Sequence, residues 1–320
     1  MKTYIYRRLI HGVLVIFIVT VLIFLSIRLL PGDPLIIYLG QAATQLGALE
    51  QDYLEKLRRQ FGLDKPLAIQ YLNWVSNIFK GNFGRSVYYQ EDVRQLLRER
   101  FPVTIHLGIL SLMVSAVLGI TIGTIGAVRR GKVVDSVLTV FCYIGISVPV
   151  FWLGILLIYI LSVKFNLLPV GGYTSPFKDF WLSTKQILMP VFCLSFFGIA
   201  ANARQMRSSM LEVMRQDYIK VAWAKGLSEW YIIRKHALKN ALIPVVTLIG
   251  TAVPVIFGGS VLVETVFAIP GVGRLLVESI FGQDYVVVQS VTFIITLFVV
   301  VSNLFVDIFY AWLDPRIRYE

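Results

Sequence analysis

Six apolar runs, each near the length of a membrane-crossing helix, recur along this chain of 320 residues. They cover residues 9–30, 102–128, 136–163, 186–203, 241–263 and 286–310, and the fourth is the shortest. A helix needs about 20 apolar residues to cross the hydrocarbon core, where its backbone polar groups must pair internally. The runs therefore predict an all-α membrane protein with six transmembrane helices.

Composition favours the same class and excludes others. Hydrophobic residues make up 57% of the chain and charged residues 15%, whereas soluble domains carry about 25% charged residues. The net charge of +11 indicates membrane lipid before nucleic acid, because no basic stretch is interleaved with aromatic residues. Cys142 and Cys193 lie inside apolar runs and are expected to be buried, and the three scattered histidines predict no metal site.

The distribution of lysine and arginine predicts the orientation. Segments 1–8, 129–135, 204–241 and 311–320 hold sixteen of them, whereas the opposite short loops hold four. Cytoplasmic loops are enriched in these residues, so both termini and segment 204–241 are expected in the cytoplasm. The first run is too long for a signal-peptide core and lacks a small-residue cleavage site, which predicts an uncleaved signal anchor.

The chain is expected to comprise three parts: residues 1–30 with the first span, an extracytoplasmic segment 31–101, and a core 102–320. In the second part, apolar residues four apart predict one amphipathic helix: Leu49, Tyr53, Leu57 and Phe61. A second helix is predicted from Pro66 to Phe79. Both would lie on the outer membrane face, either as a cap over the bundle or in contact with substrate.

A long polar interval, Asp217 to Pro244, separates the fourth and fifth runs. It predicts two short helices: Asp217 caps the first, Gly226 ends it, and Ser228 caps the second. Small side chains at Ala222 and Ala224 would let the first helix approach a partner closely. The alternative from physics alone is an interfacial amphipathic helix without a partner.

The wording DYIKVAWAKGLS in this interval resembles the cytoplasmic signature loop of ABC importer permeases. That loop has an alanine pair, a later glycine and a proline, and Ala222, Gly226 and Pro244 occupy the matching positions. Lys220 replaces the acidic residue of the general pattern. The stretch is instead similar to that of the branch that serves dipeptide, oligopeptide and nickel importers.

Other motifs resemble the same branch, in the same order along nearly the whole chain. They are RLLPGDP at 28–34, FGLDKPLAIQY at 61–71, GNFGRS at 81–86, SVPVFWLGILL at 147–157, ETVFAIPGVGRLL at 264–276 and DPRIR at 314–318. Several independent matches in order make this resemblance far more specific than the loop alone.

The resemblance implies a type I ABC importer permease fold in a bacterial cytoplasmic (inner) membrane. It implies half of a pathway for peptides, with nickel chelates or glutathione-like compounds as alternatives. Expected partners are a second homologous permease, two ABC ATPase subunits that bind ATP and magnesium, and an extracytoplasmic substrate-binding protein. The residues expected to contact the ATPase are Asp217, Tyr218, Ala222, Ala224, Lys225, Gly226 and Leu227.

The stretch from Gly126 to Val133 nearly matches a phosphate-binding P-loop. Val133 stands where a magnesium-binding Ser or Thr is required, and a hydrophobic span precedes the stretch instead of a strand. We therefore expect no ATPase, no catalytic site and no bound cofactor in this chain, so ATP hydrolysis would belong to a partner.

Candidates for the translocation pathway come from polar, small and helix-breaking residues inside the spans. They are Ser147, Pro149, Asn202, Gly258 and Gly259, and packing alone is the alternative explanation. Pro149 and Pro254 are expected to break helices. The ionisable residues His106, Glu264 and Asp307 lie near span ends, where interfacial placement is expected.

Two other function classes remain open at this point. An ion-coupled secondary transporter should carry acids at mid-membrane and an inverted repeat, whereas this chain has few such acids and no obvious repeat. A membrane enzyme should carry a catalytic constellation, and none occurs at suitable spacing.

Overall fold

The computed structural model describes residues 2–29, 59 and 64–313, which fold almost entirely into helices. These are α1 (Lys2–Arg28), α2 (Leu67–Phe79), α3 (Val93–Val128), α4 (Val133–Ser147), α5 (Val150–Lys164), α6 (Phe180–Val213), α7 (Asp217–Ala224), α8 (Glu229–Val266), α9 (Val272–Phe281) and α10 (Tyr285–Leu313). Short π-helical stretches end α5, at Ile158–Lys164, and interrupt α8 near its start, at Ile232–Ala237.

Among the described residues, five helices are long and apolar enough to cross a membrane, namely α1, α3, α6, α8 and α10. The bent pair of α4 and α5 makes a sixth span if counted as one. The predicted all-α membrane fold is therefore confirmed. The predicted span over 136–163 corresponds to this bent pair, in which α4 and α5 meet at an angle of 106°.

Pro149 explains this bend. It has no backbone N–H, and its ring disfavours helical geometry in Val148, whose φ of −79° and ψ of 124° are extended. The helix break expected at Pro149 is thus confirmed. The break expected at Pro254 is wrong, since α8 continues through both Pro244 and Pro254. Proline is tolerated within membrane helices when neighbouring groups satisfy the freed carbonyl.

The chain divides into two compact units, one formed by Met1–Thr104 with Pro270–Leu304 and the other by Ile105–Ile269 with Phe305–Glu320. This division by packing differs from the expected parts 1–30, 31–101 and 102–320, which stay a prediction. Segment 270–304 joins the N-terminal unit because its apolar side chains pack there, as described below.

In the second unit α6 is the central helix. Of its most apolar stretch 61% is buried, against 28% or less in the other long apolar helices. It packs against α4, α5 and α8. Its buried residues include Cys193, and Cys142 on α4 is buried as well, so the expected burial of both cysteines is confirmed.

Small residues bring α3 close to α6. A β-carbon built on Gly119 would lie 2.5 Å from the Asn202 Cβ, and one built on Gly123 would lie 2.4 Å from the Ala203 carbonyl oxygen. Neither position can accept a larger side chain without movement of α6. The spacing of these two glycines is the small-xxx-small pattern of close-packed membrane helices, a signal present in the sequence but not used above.

The first unit has two apolar clusters. Val93 and Leu97 at the start of α3 pack with Leu275 of α9 and Val287 of α10. Elsewhere, Ile23 of α1, Ile78 of α2 and Phe293 of α10 form a second cluster. The Tyr71 hydroxyl of α2 lies 2.8 Å from the Thr20 hydroxyl of α1. The helix predicted from Pro66 to Phe79 is therefore confirmed as α2, whereas the one predicted over 49–61 lies outside the described residues.

Candidate docking surface on the polar segment

The start of α7 lies one residue from its predicted position. Gln216 is the N-cap, and Asp217 is the first helical residue. An acid in the first turn still favours the helix, because the N-terminal end carries partial positive charge. The Lys220 ammonium donates to Asp217 Oδ1 at 2.8 Å and holds the pKa of that exposed carboxyl below its usual value.

The end of α7 is a glycine-terminated turn, as predicted. Gly226 has a φ of +75°, a left-handed conformation that costs glycine little. Its N–H donates to the Trp223 carbonyl at 2.9 Å, and the Leu227 N–H donates to the Ala222 carbonyl at 3.4 Å. This pair of bonds is the Schellman arrangement, so Gly226 reverses the chain tightly after α7.

One face of α7 is anchored in the second unit. Ile219 and Ala222 are buried in an apolar cluster with residues from the ends of neighbouring helices, including Ala127, Met206, Met210, Ile232 and Ile233. The Tyr218 hydroxyl adds a polar tie, since the Asn240 amide of α8 donates to it at 2.8 Å. α7 is therefore packed onto α3, α6 and α8. Ala222 serves this internal packing, and Ala224 is the exposed member of the alanine pair.

Ser228 stands at the N-cap of α8, as predicted, but its side chain makes no capping bond within the described residues. Its carbonyl accepts from the Ile232 N–H at 3.0 Å instead. Aromatic side chains then follow on the exposed side, with Trp230 at 69% exposure.

The exposed side of this segment forms what we call the docking face, whose residues are Tyr218, Lys220, Val221, Trp223, Ala224, Lys225 and Trp230. Val221 is 52% exposed and Trp223 is 43% exposed, although both are large and apolar. Aromatic and basic residues around an apolar centre are typical of protein–protein contact sites. Val221, Trp223 and Trp230 were not among the expected contact residues, although bulky apolar side chains in a polar segment were a usable signal.

The five pathway candidates lie in different environments of the second unit. Ser147 and Pro149 are exposed at the bend, and Gly258 is exposed on α8 with no described atom within 4 Å of a built β-carbon. Gly259 faces the Leu194 side chain, and Asn202 is buried where its amide donates to the Ser115 carbonyl at 3.2 Å. Their role in a pathway stays a prediction.

The ionisable residues near span ends also differ from one another. His106 Nδ1 lies 3.0 Å from the Tyr173 hydroxyl, and burial raises the pKa of that tyrosine. Glu264 lies in the last turn of α8 and is fully buried. Asp307 is half-buried on α10.

Two family models together match most of the chain. The model described as "Binding-protein-dependent transport system inner membrane component" matches residues 119–319, and its N-terminal companion matches residues 1–108. A "Probable peptide ABC transporter permease protein" of Sinorhizobium fredii is 42% identical, and the "Oligopeptide transport system permease protein AppB" of Bacillus subtilis is 37% identical. Each alignment covers 100% of both chains.

Solved structures share the fold at low sequence identity. A chain of the inward-facing MetNI methionine ABC transporter matches with a TM-score of 0.57 and 19% identity, over 69% of this chain and 97% of that chain. A chain of an amino acid ABC transporter solved with histidines matches with a TM-score of 0.54 and 14% identity, over 68% and 94%. The fold is thus that of a type I ABC importer permease.

Proposed function

The chain belongs to the family of binding-protein-dependent transport system inner-membrane components, and on that premise we propose that it is the permease subunit of a peptide importer driven by ATP. Full-length relatives at 42% and 37% identity whose names specify peptide or oligopeptide transport support this substrate class. Nickel chelates and glutathione-like compounds are alternative cargoes of the same assembly. Membership in a binding-protein-dependent family disfavours the solitary secondary transporter.

The proposed assembly contains a second, homologous permease, which would form the other half of the translocation pathway. Two ABC ATPase subunits would bind ATP and magnesium, and an extracytoplasmic binding protein would deliver the peptide. Both termini and segment 204–241 would lie in the cytoplasm of a bacterial cell, with the helices in its inner membrane. The pathway would pass Ser147, Pro149, Asn202, Gly258 and Gly259.

The docking face of α7 is the observation that carries this proposal. Its inner face is anchored through Ile219 and Ala222, whereas its outer face leaves the apolar side chains of Val221 and Trp223 52% and 43% exposed. A short helix that is packed on one side and apolar on the other suits the groove of a soluble subunit. We assign that groove to the ATPase. Ala222 would hold the helix in place by its internal packing. The residues at or beside the contact would be Asp217, Tyr218, Ala224, Lys225, Gly226 and Leu227.

Coupling then follows from the packing of α7. Because Ile219 contacts the cluster shared by α3, α6 and α8, a displacement of α7 by the ATPase is passed to three helices at once. Closely packed interiors transmit such displacements as rigid shifts, since they do not compress. Lys220 forms an ion pair with Asp217 within the helix. The contact with the ATPase therefore need not use the acidic residue that other branches of the family carry at position 220.

The test is Gly226→Asp in the complete transporter reconstituted in vesicles. Aspartate tolerates the left-handed backbone better than most residues, and no described atom lies within 4 Å of a built β-carbon at Gly226. We expect normal assembly, but the amount of peptide taken up per ATP hydrolysed should fall by at least about tenfold. A change of that size corresponds roughly to the free energy of one good contact. Uptake and hydrolysis are measured in the same vesicles.

Gly131→Asp is the matched control, because Gly131 has the same φ of +75° and the same open surroundings. It lies between α3 and α4 and is not one of the docking-face residues. Equal coupling in the two variants, or parental uptake by Gly226→Asp, would disprove the assigned coupling role.

A further inference from the structure

A cleft of about 670 Å³ lies in the second unit between α3, α4 and α6, apart from the docking face. Four arginines line it: Arg130, Arg204, Arg207 and Arg215. Glu212 is the acid that lines it alongside them. A volume of this size is in the range of small-molecule sites, and its basic character limits the ligand to an anion.

One of the four arginines is a fixed part of the wall. Arg207 donates to the buried Asp135 through Nε at 2.7 Å and Nη2 at 2.8 Å. Asp135 also accepts the Gly131 N–H at 3.1 Å. This bidentate pair joins α6 to the start of α4 and neutralises the Arg207 charge, so Arg207 shapes the cleft instead of binding the anion.

The other three arginines are available. In the parts of the chain that the structure describes, Arg130, Arg204 and Arg215 have no carboxylate within 4.0 Å, and all three are exposed. Three guanidinium groups around one space form the arrangement that recognises phosphate, because each planar fork can donate two parallel hydrogen bonds. None of the described residues that line the cleft is a lysine.

Part of the remaining lining is apolar, beside polar residues such as Thr139 and Ser208. Ile122 of α3 and Leu138 and Ile146 of α4 extend from the arginines along two candidate membrane-spanning helices. A small hydrophilic anion would leave this surface uncovered, whereas a ligand with a phosphate and a hydrocarbon tail would satisfy both parts. Basic pockets between membrane helices bind anionic lipid headgroups in this way.

We propose that this cleft binds an anionic phospholipid, with its phosphate among Arg130, Arg204 and Arg215 and an acyl chain along Ile122, Leu138 and Ile146. The bound lipid would span α3, α4 and α6, two of which also support α7. Only the choice of membrane leaflet rests on the proposed function. The positive-inside arrangement puts these arginines on the cytoplasmic side, so the lipid would come from the cytoplasmic leaflet. Lipid binding itself is measured independently of transport.

The experiment uses the purified full-length chain in detergent, stripped of lipid, with native mass spectrometry of added phosphatidylglycerol or phosphatidylcholine. We expect phosphatidylglycerol to bind at least about tenfold more tightly, since each basic residue near an anionic headgroup contributes about 1 kcal/mol. The variant Arg130→Gln/Arg204→Gln/Arg215→Gln should lose that preference. The control Arg234→Gln/Lys235→Gln/Lys239→Gln removes the same charge outside the cleft and should retain it.

A single Arg130→Gln variant guards against misfolding of the triple variant, because this exposed side chain lies beside a turn. It should weaken phosphatidylglycerol binding by about threefold or more, by the same charge argument. Equal loss in the cleft and control variants, or no preference for the anionic lipid, would overturn the proposal.

Two further arms separate the lipid from other occupants. Inorganic phosphate should compete only weakly with phosphatidylglycerol. If phosphate displaces phosphatidylglycerol and binds the parent protein as tightly as the lipid does, the ligand is free phosphate and the lipid assignment fails. A photo-crosslinker at Thr139, which lines the cleft, should label lipid in the assembled transporter. Labelling of a second permease subunit there instead would show that protein fills the cleft and would also overturn the proposal.

Discussion

The loop network around Asp284 and the surface helix α7 are held by different kinds of interaction. In the loop network, the buried Asp284 accepts from the Ser86 hydroxyl, from the Tyr88 N–H at 3.0 Å and from the Val287 N–H at 3.3 Å. Glu278 nearby accepts from the Tyr89 hydroxyl at 2.9 Å. α7 is instead anchored mainly by the burial of Ile219 and Ala222.

This difference shows two ways to fix a non-membrane segment. Directional hydrogen bonds to a buried carboxylate specify one geometry, and they no longer stabilise the segment if any partner moves. Apolar burial is non-directional, so a helix seated on it can shift with its neighbours and still remain packed. A segment that must transmit motion suits the second arrangement, and a segment that must stay in place suits the first.

The largest effect is expected from removal of the carboxylate that centres the loop network. Asp284→Ala leaves the Ser86 hydroxyl and two backbone N–H groups without their acceptor in a site that is 2% exposed. We expect a loss of at least about 4 kcal/mol in the free energy of unfolding, since hydrogen bonds to a charged group contribute about 2 kcal/mol each and the 3.3 Å bond from Val287 contributes less. Denaturant unfolding in mixed micelles measures it.

Asp179→Ala provides the contrast for that variant. Asp179 also accepts a backbone N–H, from Leu182 at 2.9 Å, but at the exposed N-cap of α6. Its loss should cost about 1 kcal/mol. Equal costs for the two aspartates would show that the loop network is not a rigid, buried constraint.

The next effect concerns the apolar anchor of α7. Ile219→Ala removes a fully buried side chain and should cost about 3 kcal/mol by loss of burial and creation of a cavity. Because Ile219 is a fully buried residue of the short helix α7, we expect the largest increase in hydrogen exchange in residues 217–226. Val221→Ala, on the exposed face of the same helix, should change exchange little. Uniform destabilisation of the second unit would contradict local anchoring.

The smallest effect lies at the edge of the loop network. Burial and the hydrogen bond to Glu278 raise the pKa of Tyr89, so the folded protein holds this proton more tightly than the unfolded chain does. The resulting stability is fully present below the ordinary tyrosine pKa of about 10 and is lost as pH rises through the folded value.

Tyr89→Phe should therefore lower the free energy of unfolding by about 1–2 kcal/mol at neutral pH. The difference from the parent should shrink above about pH 10, where unfolding midpoints are compared across a pH series. Tyr88→Phe, the exposed neighbour, should show neither change. A constant Tyr89→Phe deficit through pH 11 would indicate lost packing instead of a lost proton-dependent bond.

Much of the fold could be predicted because its signals are local. The apolar runs predicted the spans, Pro66 the start of α2, Pro149 the bend and Gly226 the end of α7. The signal at Pro254 did not correspond to a break, because a helix can continue through a proline when neighbouring groups form hydrogen bonds with the freed backbone carbonyl. Asp284 and Glu278 were not singled out, since their partners Ser86 and Tyr89 lie 198 and 189 residues away along the chain.

The sequence by itself determined that this is a helical membrane protein, and its ordered motifs determined the family. Those properties follow from apolar runs and sequence motifs within short stretches of the chain. Only the tertiary structure decided that Ile219 and Ala222 face inward while Val221 and Trp223 face outward, because all four are compatible with burial on a short helix. It alone gathered Arg130, Arg204 and Arg215 at one cleft, since their convergence depends on the packing of α3 against α6 through Gly119 and Gly123.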